Sequence, residues 1–388
     1  MSEQRPDLDR RATAAASGRD EIEVDVLIVG SGLLAHYLAG QLTDDYSVCL
    51  LVHPDRRPES LDTDGFFSAG YDGTDVGRIQ PARRSAGFWS LWAESNDLPH
   101  RAASLQLLGP AEEAVRTRFW ADAALVATPL DEQPAPFDSG SFADHRAYEA
   151  VHDVVIDPGV VLAALAAELD GVWLTGELAD VVLAGDEAID AIEVELGEDQ
   201  VAIVPRATVF AAELANADLL ANVAARTRDA KLRRERAQMA RTCQAVRRQT
   251  QILLRGDLPE ITAVFDGLRV VAHRLGGDAG GDAAEDGGEV VWVVTLPIDD
   301  TQTIEGPDDP RFEPPVDHAV IAEVVGRLLD AAPSVSERAE DLSWTARVRR
   351  KTEHPMMAAT DTSTIPQPSP AKLETMDIEG FYAIWSGH

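Results

Sequence analysis

Gly30, Ser31 and Gly32 stand between the branched apolar run Val26-Leu27-Ile28-Val29 and the apolar Leu33-Leu34-Ala35. A buried parallel strand reads as such an unbroken apolar run, and the glycines then mark a tight turn into a helix. Gly30 permits the turn. Gly32 removes the side chain that would keep a pyrophosphate away from the backbone, and the amides of Ser31, Leu33 and Leu34 lie where a helix N-terminus receives negative charge. Ala35 stands at the place of the third small residue, where helix and strand pack closely. A helix over 36–42 and a second strand over 47–52 complete the unit, so the chemistry expected is dinucleotide binding. The alternative is an ordinary strand–helix–strand unit.

Further residues bear on the same ligand. The second strand ends Leu50-Leu51-Val52-His53-Pro54, which puts His53 where an acidic residue often binds ribose hydroxyls. An imidazole can hydrogen-bond a hydroxyl, and a plain surface histidine fits the position equally well. Residues 62–70, rich in small and glycine residues, form a loop that returns toward the turn and brings Gly65 and Phe66 to the ligand. No other catalytic signature is present: there is no Gly-x-Ser-x-Gly, His-Glu-x-x-His or Cys-x-x-Cys, and the nine histidines show no metal-binding spacing.

The elements that must position these residues belong to a chain of 388 residues, 45% hydrophobic, long enough for two or three domains. The net charge is −33, from 67 acidic against 34 basic residues, and only Lys231, Lys351 and Lys372 are lysines. That balance resembles proteins of salt-loving microbes and disfavours nucleic acid as a partner. No apolar run is long enough to span a bilayer. Residues 1–20 read as a disordered leader without a secretion signal. Cys49 and Cys243 read as buried free thiols in a reducing compartment, the cytoplasm.

Along the chain, a helix is expected over 83–96, with Phe88, Leu91 and Trp92 in the core. Mixed short runs over 101–147 suggest a second, sheet-containing part. Asp157-Pro158 opens a helix over 160–169. Strands follow at 171–174, 181–183, 188–196, 200–204 and 207–212, the middle ones as hairpins. The basic island 230–249 reads as a solvated helix paired with carboxylates. Strands at 251–254, 261–265, 268–274 and 290–296 flank an acidic glycine loop at 276–282. An amphipathic helix at 320–329, a proline-rich loop at 355–372 and a closing strand toward Gly387 complete the chain.

This order of segments resembles the D-amino-acid-oxidase-like family of FAD-dependent oxidoreductases, which includes glycine and sarcosine oxidases and glycerol-3-phosphate dehydrogenases. Four places carry the resemblance: the turn 25–35 with His53; the loop Gly65–Gly70; Asp157-Pro158 through the strand Ala207–Ala212, similar to the block ending in the family's Ala-Ala-Gly; and Gly380-Phe381-Tyr382 to Gly387-His388. The chain departs from the family at Glu213, where a glycine is expected after Ala211-Ala212, and at His53. It also stops at His388, where family members continue into a glycine-containing loop and a last helix; the expectation is a natural short form, a truncated gene or a chain that holds flavin weakly.

The resemblance implies an α/β fold. A Rossmann-like FAD-binding domain, a parallel sheet with helices and a β-hairpin insertion, is expected over 21–75, 151–225 and 340–388. An antiparallel-sheet substrate domain is expected over 76–150 and 226–339. It implies FAD held by Gly30, Ser31, Gly32, Leu33, Leu34, His53, Gly65, Phe66, Ala211 and Gly387. It implies Arg349 as a bidentate clamp for a substrate carboxylate; an exposed edge strand explains the Arg347–Lys351 cluster equally well. The activity implied is oxidation of a small amine or hydroxy compound, amino-acid-like or glycerol-3-phosphate-like, by hydride transfer to the flavin. An electron-acceptor protein and a second copy of the chain stay open as partners. The alternatives are a catalytically eroded dinucleotide-binding or scaffold protein and, less favoured by His53, an NAD(P)-dependent dehydrogenase.

Overall fold

A computed structural model of the chain describes residues 20–73, 76–137, 142, 144–169, 172–274, 289–296, 318–337, 342–353 and 372–385. Gly387, the leader up to residue 19, the acidic loop 276–282 and residues 355–371 of the proline-rich loop lie outside the described residues.

The described elements are, in order, β1 (Asp20–Val29), α1 (Leu33–Leu42), β2 (Val48–Val52), β3 (Phe66–Phe67), α2 (Val76–Ser95), β4 (His100–Leu108), α3 (Pro110–Asp122), β5 (Ala127–Pro129), β6 (Arg146–Ile156) and α4 (Pro158–Ala167). Then come β7 (Trp173–Thr175), β8 (Glu177–Ala184), β9 (Ala188–Leu196), β10 (Asp199–Phe210), α5 (Asn216–Arg226), α6 (Ala230–Thr242), β11 (Ala245–Gly256), β12 (Thr262–Phe265), β13 (Leu268–Arg274) and β14 (Val290–Thr295). The chain closes with α7 (His318–Ala331), α8 (Pro333–Ser336), β15 (Ser343–Glu353), β16 (Lys372–Glu374) and β17 (Phe381–Trp385).

Two sheets organise these elements. In the first, β17, β10, β1, β2 and β7 run parallel in that order; β16 pairs antiparallel on β17, and the β8–β9 hairpin joins β10. Leu27 and Ile28 are fully buried, one toward each face: Leu27 packs with Cys49, Phe210 and Leu220, and Ile28 with Ala35, Ala39 and Leu50. Burial on both faces is why the end of β1, Val26 to Val29, is an unbroken apolar run. Asp157 caps α4, accepting from the Gly159 and Val160 amides at 2.7 and 3.1 Å, with Pro158 in the first turn, where its missing N–H costs nothing.

The second sheet runs β15-β11-β14-β13-β12-β4-β6-β3 and is largely antiparallel; β12 and β4 pair in parallel. Period-two alternation splits its faces. Ile252, Leu254, Trp292, Val294, Val270 and Ala272 pack with α7 residues Ile321, Val324 and Leu328. The alternate residues form the polar face described below.

Several expectations change. β3 lies inside the expected loop 62–70 and pairs antiparallel with β6, Phe66 with Val155 and Phe67 with Val154. Two residues are too few to show a period in sequence. β15, within the expected 340–388 part of the FAD-binding domain, pairs with β11 in the second sheet. Helix α2 begins at Val76 and carries Pro81 inside it. Phe88 and Leu91 are exposed rather than core, 40% and 65%; Trp89 and Trp92 take the inward side. The basic island is split. Its helix ends at Thr242, and Arg247 and Arg248 fall in β11. Arg236 is buried, donating to the carbonyls of Met376, Asp377 and Asp186 and to Thr227 Oγ1. It is a tie between α6 and the approach to β17, not a solvated cation.

Candidate functional site

The turn after β1 is built as the motif requires. Gly30 donates to the Leu51 carbonyl at 3.0 Å, and Ala211 donates to the Val29 carbonyl at 2.8 Å, so the exits of β2, β1 and β10 are tied side by side. A Cβ on Gly30 would run into the Ala211 backbone carbonyl. Gly30 and Ala211 are thus forced together by close approach of two chains. Ser31 Oγ accepts from the His53 N–H at 3.2 Å, which fixes the end of β2 beside the turn. His36, one turn into α1, is buried. Its Nδ1 lies 2.9 Å from the Gly32 carbonyl, and its ring packs edge-on to Trp173 at 6.1 Å. Burial lowers its pKa, opposed by that carbonyl, so the neutral ring donates to Gly32 and holds the first turn.

The open face of Gly32 is covered by one side chain. A Cβ there would meet the Glu213 carboxylate, and next Ser60 Oγ at 3.0 Å. Glu213 Oε2 accepts from the Glu59 N–H at 2.5 Å, and Oε1 accepts from the Ser60 N–H at 3.2 Å. Ser60 Oγ in turn accepts from the Leu33 N–H at 3.1 Å. Glu213 has φ +53°, in the left-handed region that glycine adopts freely. The space that Gly32 leaves by lacking a Cβ is thus taken by a glutamate carboxylate bound to the Glu59 and Ser60 amides.

His53 sits at the end of β2 as the spacing predicted. Its Nε2 lies 3.4 Å from Glu177 Oε1 at the start of β8, and its Nδ1 accepts from the Asp55 N–H at 3.1 Å. A carboxylate is therefore present at this corner, but it comes from β8 rather than from β2.

From Ser60 the chain crosses to the polar face of the second sheet. One register row there runs Arg347, Gln251, Thr295, Arg269, Val264 and Gln106 across six strands. The segment between Ser60 and Phe66 lies against it. Arg269 pairs with Asp64 Oδ2 at 2.5 Å, with both side chains nine-tenths buried, and Thr295 Oγ1 donates to the same oxygen at 3.0 Å. Arg347 reaches Asp62 Oδ1 at 3.0 Å and Gln251 Oε1 at 2.9 Å. Burial lowers the Arg347 pKa, opposed by Asp62. Phe66 lies under the Arg269 guanidinium, 5.0 Å from ring centroid to Cζ. Gly65 has φ +67°, and a Cβ there would strike the Ile156 carbonyl, so this glycine is required by the backbone.

Two buried amides on this face have an unused atom. Gln249 Nε2 donates to the Leu296 carbonyl at 3.3 Å, which leaves Gln249 Oε1 with no hydrogen-bond partner among the described residues; Gln251 Oε1 takes Arg347, which leaves Gln251 Nε2 with none among them. Arg349 is the register partner of Gln249, and its side chain lies outside the described residues. Sequence reasoning missed Arg269, Asp62, Asp64, Gln249 and Gln251. A buried Asp or Arg in an otherwise apolar alternation was the available signal, but the row draws on strands scattered from residue 106 to 347.

No protein-family model matches the chain, and no curated protein matches it. Solved structures do. An FAD dependent oxidoreductase from Pseudomonas aeruginosa superposes with a TM-score of 0.63 at 17% identity, over 94% of this chain and 85% of that one. Iminodiacetate oxidase from Chelativorans sp. BNC1 gives 0.63 at 16%, over 93% and 89%. Glycine oxidase from Geobacillus kaustophilus gives 0.60 at 14%, over 94% and 90%. The chain has the fold of the D-amino-acid-oxidase-like flavoproteins. A parallel Rossmann-like sheet with a hairpin insertion, beside a largely antiparallel sheet, is the architecture that the resemblance implied. Among the described residues no helix is long and apolar enough to cross a membrane.

Proposed function

We propose that the chain is an FAD-dependent oxidoreductase that removes a hydride from a small amine or amino-acid-like compound. The observation that carries this is the Gly30–Gly32 turn: it lies at the exit of the central parallel strand and is joined to the polar row by the segment that holds Ser60, Asp62 and Asp64. In open α/β sheets, ligands bind at that exit. The shared fold over 85–90% of three flavoenzyme and oxidase chains supports the same reading.

Bound FAD would supply the hydride acceptor. The chain's own residues do the rest. The turn amides and the positive end of α1 take the diphosphate. The Asp64–Arg269 and Asp62–Arg347 pairs hold the 60–66 segment against the sheet and neutralise both guanidinium groups. That leaves polar recognition to the unused atoms of the row. Gln249 Oε1 accepts from a substrate N–H, and Gln251 Nε2 donates to a carboxylate oxygen. Arg349 supplies the clamping charge for that carboxylate. This pattern favours an amino-acid-like substrate over a glycerol-3-phosphate-like one. Cys49 and Cys243 are buried and form no disulfide among the described residues, which supports a reducing compartment such as the cytoplasm.

The test is a visible spectrum of the full chain after incubation with FAD and removal of excess. A yellow protein bleached anaerobically by glycine, N-methylglycine, proline or iminodiacetate supports the reading. A retained flavin that only glycerol 3-phosphate reduces overturns the substrate class. Glu213 favours a second reading, a dinucleotide-fold scaffold that has lost catalysis; a colourless protein that FAD cannot reconstitute is its signature.

A further inference from the structure

We infer that Glu213 is an internal competitor of the coenzyme: its carboxylate occupies the place of the diphosphate, and FAD enters only by displacing it. The inference rests on the FAD reading above and adds a residue that sets how tightly this chain holds its flavin.

Three independent features lead to it. The first is position. The one face of Gly32 that lacks a Cβ, and so lies open for close approach, is filled by the Glu213 carboxylate. The second is the donor set. Glu213 takes the Glu59 and Ser60 amides, and the Ser60 hydroxyl takes the Leu33 amide at the start of α1. These are oriented backbone N–H groups beside a helix N-terminus, the donors that bind phosphate oxygens elsewhere. A carboxylate satisfies them as a phosphate would, with charge-assisted bonds. The third is backbone cost. Residue 213 is held at φ +53°, a conformation that disfavours any side chain with a Cβ. Glycine would hold that turn without the penalty. Glutamate is retained there in a geometry that delivers its carboxylate to the amides.

A carboxylate and a diphosphate cannot both lie against Gly32, because both are anions and both would fill the space that its missing Cβ leaves. Binding of FAD must draw Glu213 off the Glu59 and Ser60 amides and move a negative charge away from α1. The segment 59–60 is then free to give its amides to the ligand. The same segment continues to Asp62 and Asp64 on the polar row, so the displaced carboxylate and the substrate-side ion pairs are connected by a few residues of backbone.

The experiment titrates FAD into the full wild-type chain, E213G and E213A, following the quenching of flavin fluorescence, with thermal melting of each protein without FAD as the folding control. E213G removes both the carboxylate and the left-handed strain, whereas E213A removes only the carboxylate. Both variants are expected to bind FAD on the order of 10- to 100-fold more tightly than wild type, the equivalent of one or two charge-assisted hydrogen bonds. E213A should account for most of the gain. Wild type and both variants binding FAD equally, or the variants binding more weakly, overturns the competitor and leaves the FAD reading standing. Three folded proteins that all fail to bind FAD overturn both.

Discussion

Arg269 and Asp64 form a buried ion pair between the strand β13 and the segment that follows Ser60, at 2.5 Å and with side chains only 7% and 4% exposed. The pair joins the polar row to the segment that runs back to Ser60 beside the Gly30–Gly32 turn. Asp64 also accepts from Thr295, and its backbone carbonyl meets His273 Nε2 at 2.8 Å, so one aspartate gathers β13 and β14. Removing one partner of such a pair leaves an uncompensated buried charge, which costs about 3–5 kcal/mol. R269M is expected to destabilise the chain by that amount in urea unfolding. R269M combined with D64L should recover most of the loss, because no charge is left buried. A double variant as unstable as the single would show that the aspartate's other contacts, not the pairing, carry the stability.

Gly30 and Gly32 are expected to separate under substitution. A Cβ on Gly30 meets the Ala211 backbone carbonyl, which is fixed in the parallel pairing of β1 and β10. Overpacking of this kind costs about 1–3 kcal/mol, so G30A should lower the melting temperature. A Cβ on Gly32 meets a side chain rather than backbone, and Glu213 can turn aside by releasing the Glu59 and Ser60 amides. G32A should therefore melt above G30A and yet lose FAD, since the methyl group occupies the approach that the diphosphate needs. Equal loss of stability in both variants would contradict this division.

These two glycines were legible from sequence because the strand before them is buried on both faces and so reads as one apolar run. The hairpins β8–β9 and β9–β10 were legible from their turn residues. The polar row was not. Arg269, Thr295, Gln251 and Arg347 sit on four strands whose pairing is set by tertiary contacts, and local patterning carries no record of which strand lies beside which. Glu213 was visible as a departure from Ala-Ala-Gly. Its destination was not, because the left-handed turn that sends its carboxylate 154 residues back to Glu59 is a property of the folded backbone. Phe88 and Leu91 misled for the opposite reason: helical spacing marks a face but not whether anything covers it.

Asp153 is fully buried, accepting from the Ala69 amide at 2.7 Å and from Ser104 Oγ at 2.6 Å. Burial pushes its carboxyl up to about 7, against the pull of those two hydrogen bonds. The unfolded chain releases this proton near pH 4. Between about pH 4 and pH 7 the folded state therefore binds more protons than the unfolded one, and stability falls as pH rises through that window, levelling above it. The full difference is on the order of 4 kcal/mol. D153N cannot ionise and should lose this slope. Subtracting the urea stabilities of wild type from those of D153N across the window isolates the effect from other carboxylates. The difference should grow in favour of the variant toward neutral pH. A flat difference would show that Asp153 titrates in its ordinary range.

Gln249 should trade stability for substrate binding. Its Oε1 is buried without a hydrogen-bond partner, and an unsatisfied buried acceptor costs about 1–3 kcal/mol. Methionine fills nearly the same volume and brings no acceptor to satisfy. The one bond it forfeits, from Nε2 to the Leu296 carbonyl, is long at 3.3 Å. Q249M is therefore expected to be as stable as wild type, or up to about 1 kcal/mol more stable, in urea unfolding. If Gln249 Oε1 receives a substrate N–H, the same variant should raise KM for an amine that bleaches the flavin by roughly 10-fold while kcat changes less, the mark of a lost ground-state contact. Q249E keeps an acceptor at this position and should retain the amine better than Q249M does. A Q249M chain that is clearly less stable, with KM unchanged, would mean that the amide is held for packing and that the polar atom has no ligand to meet.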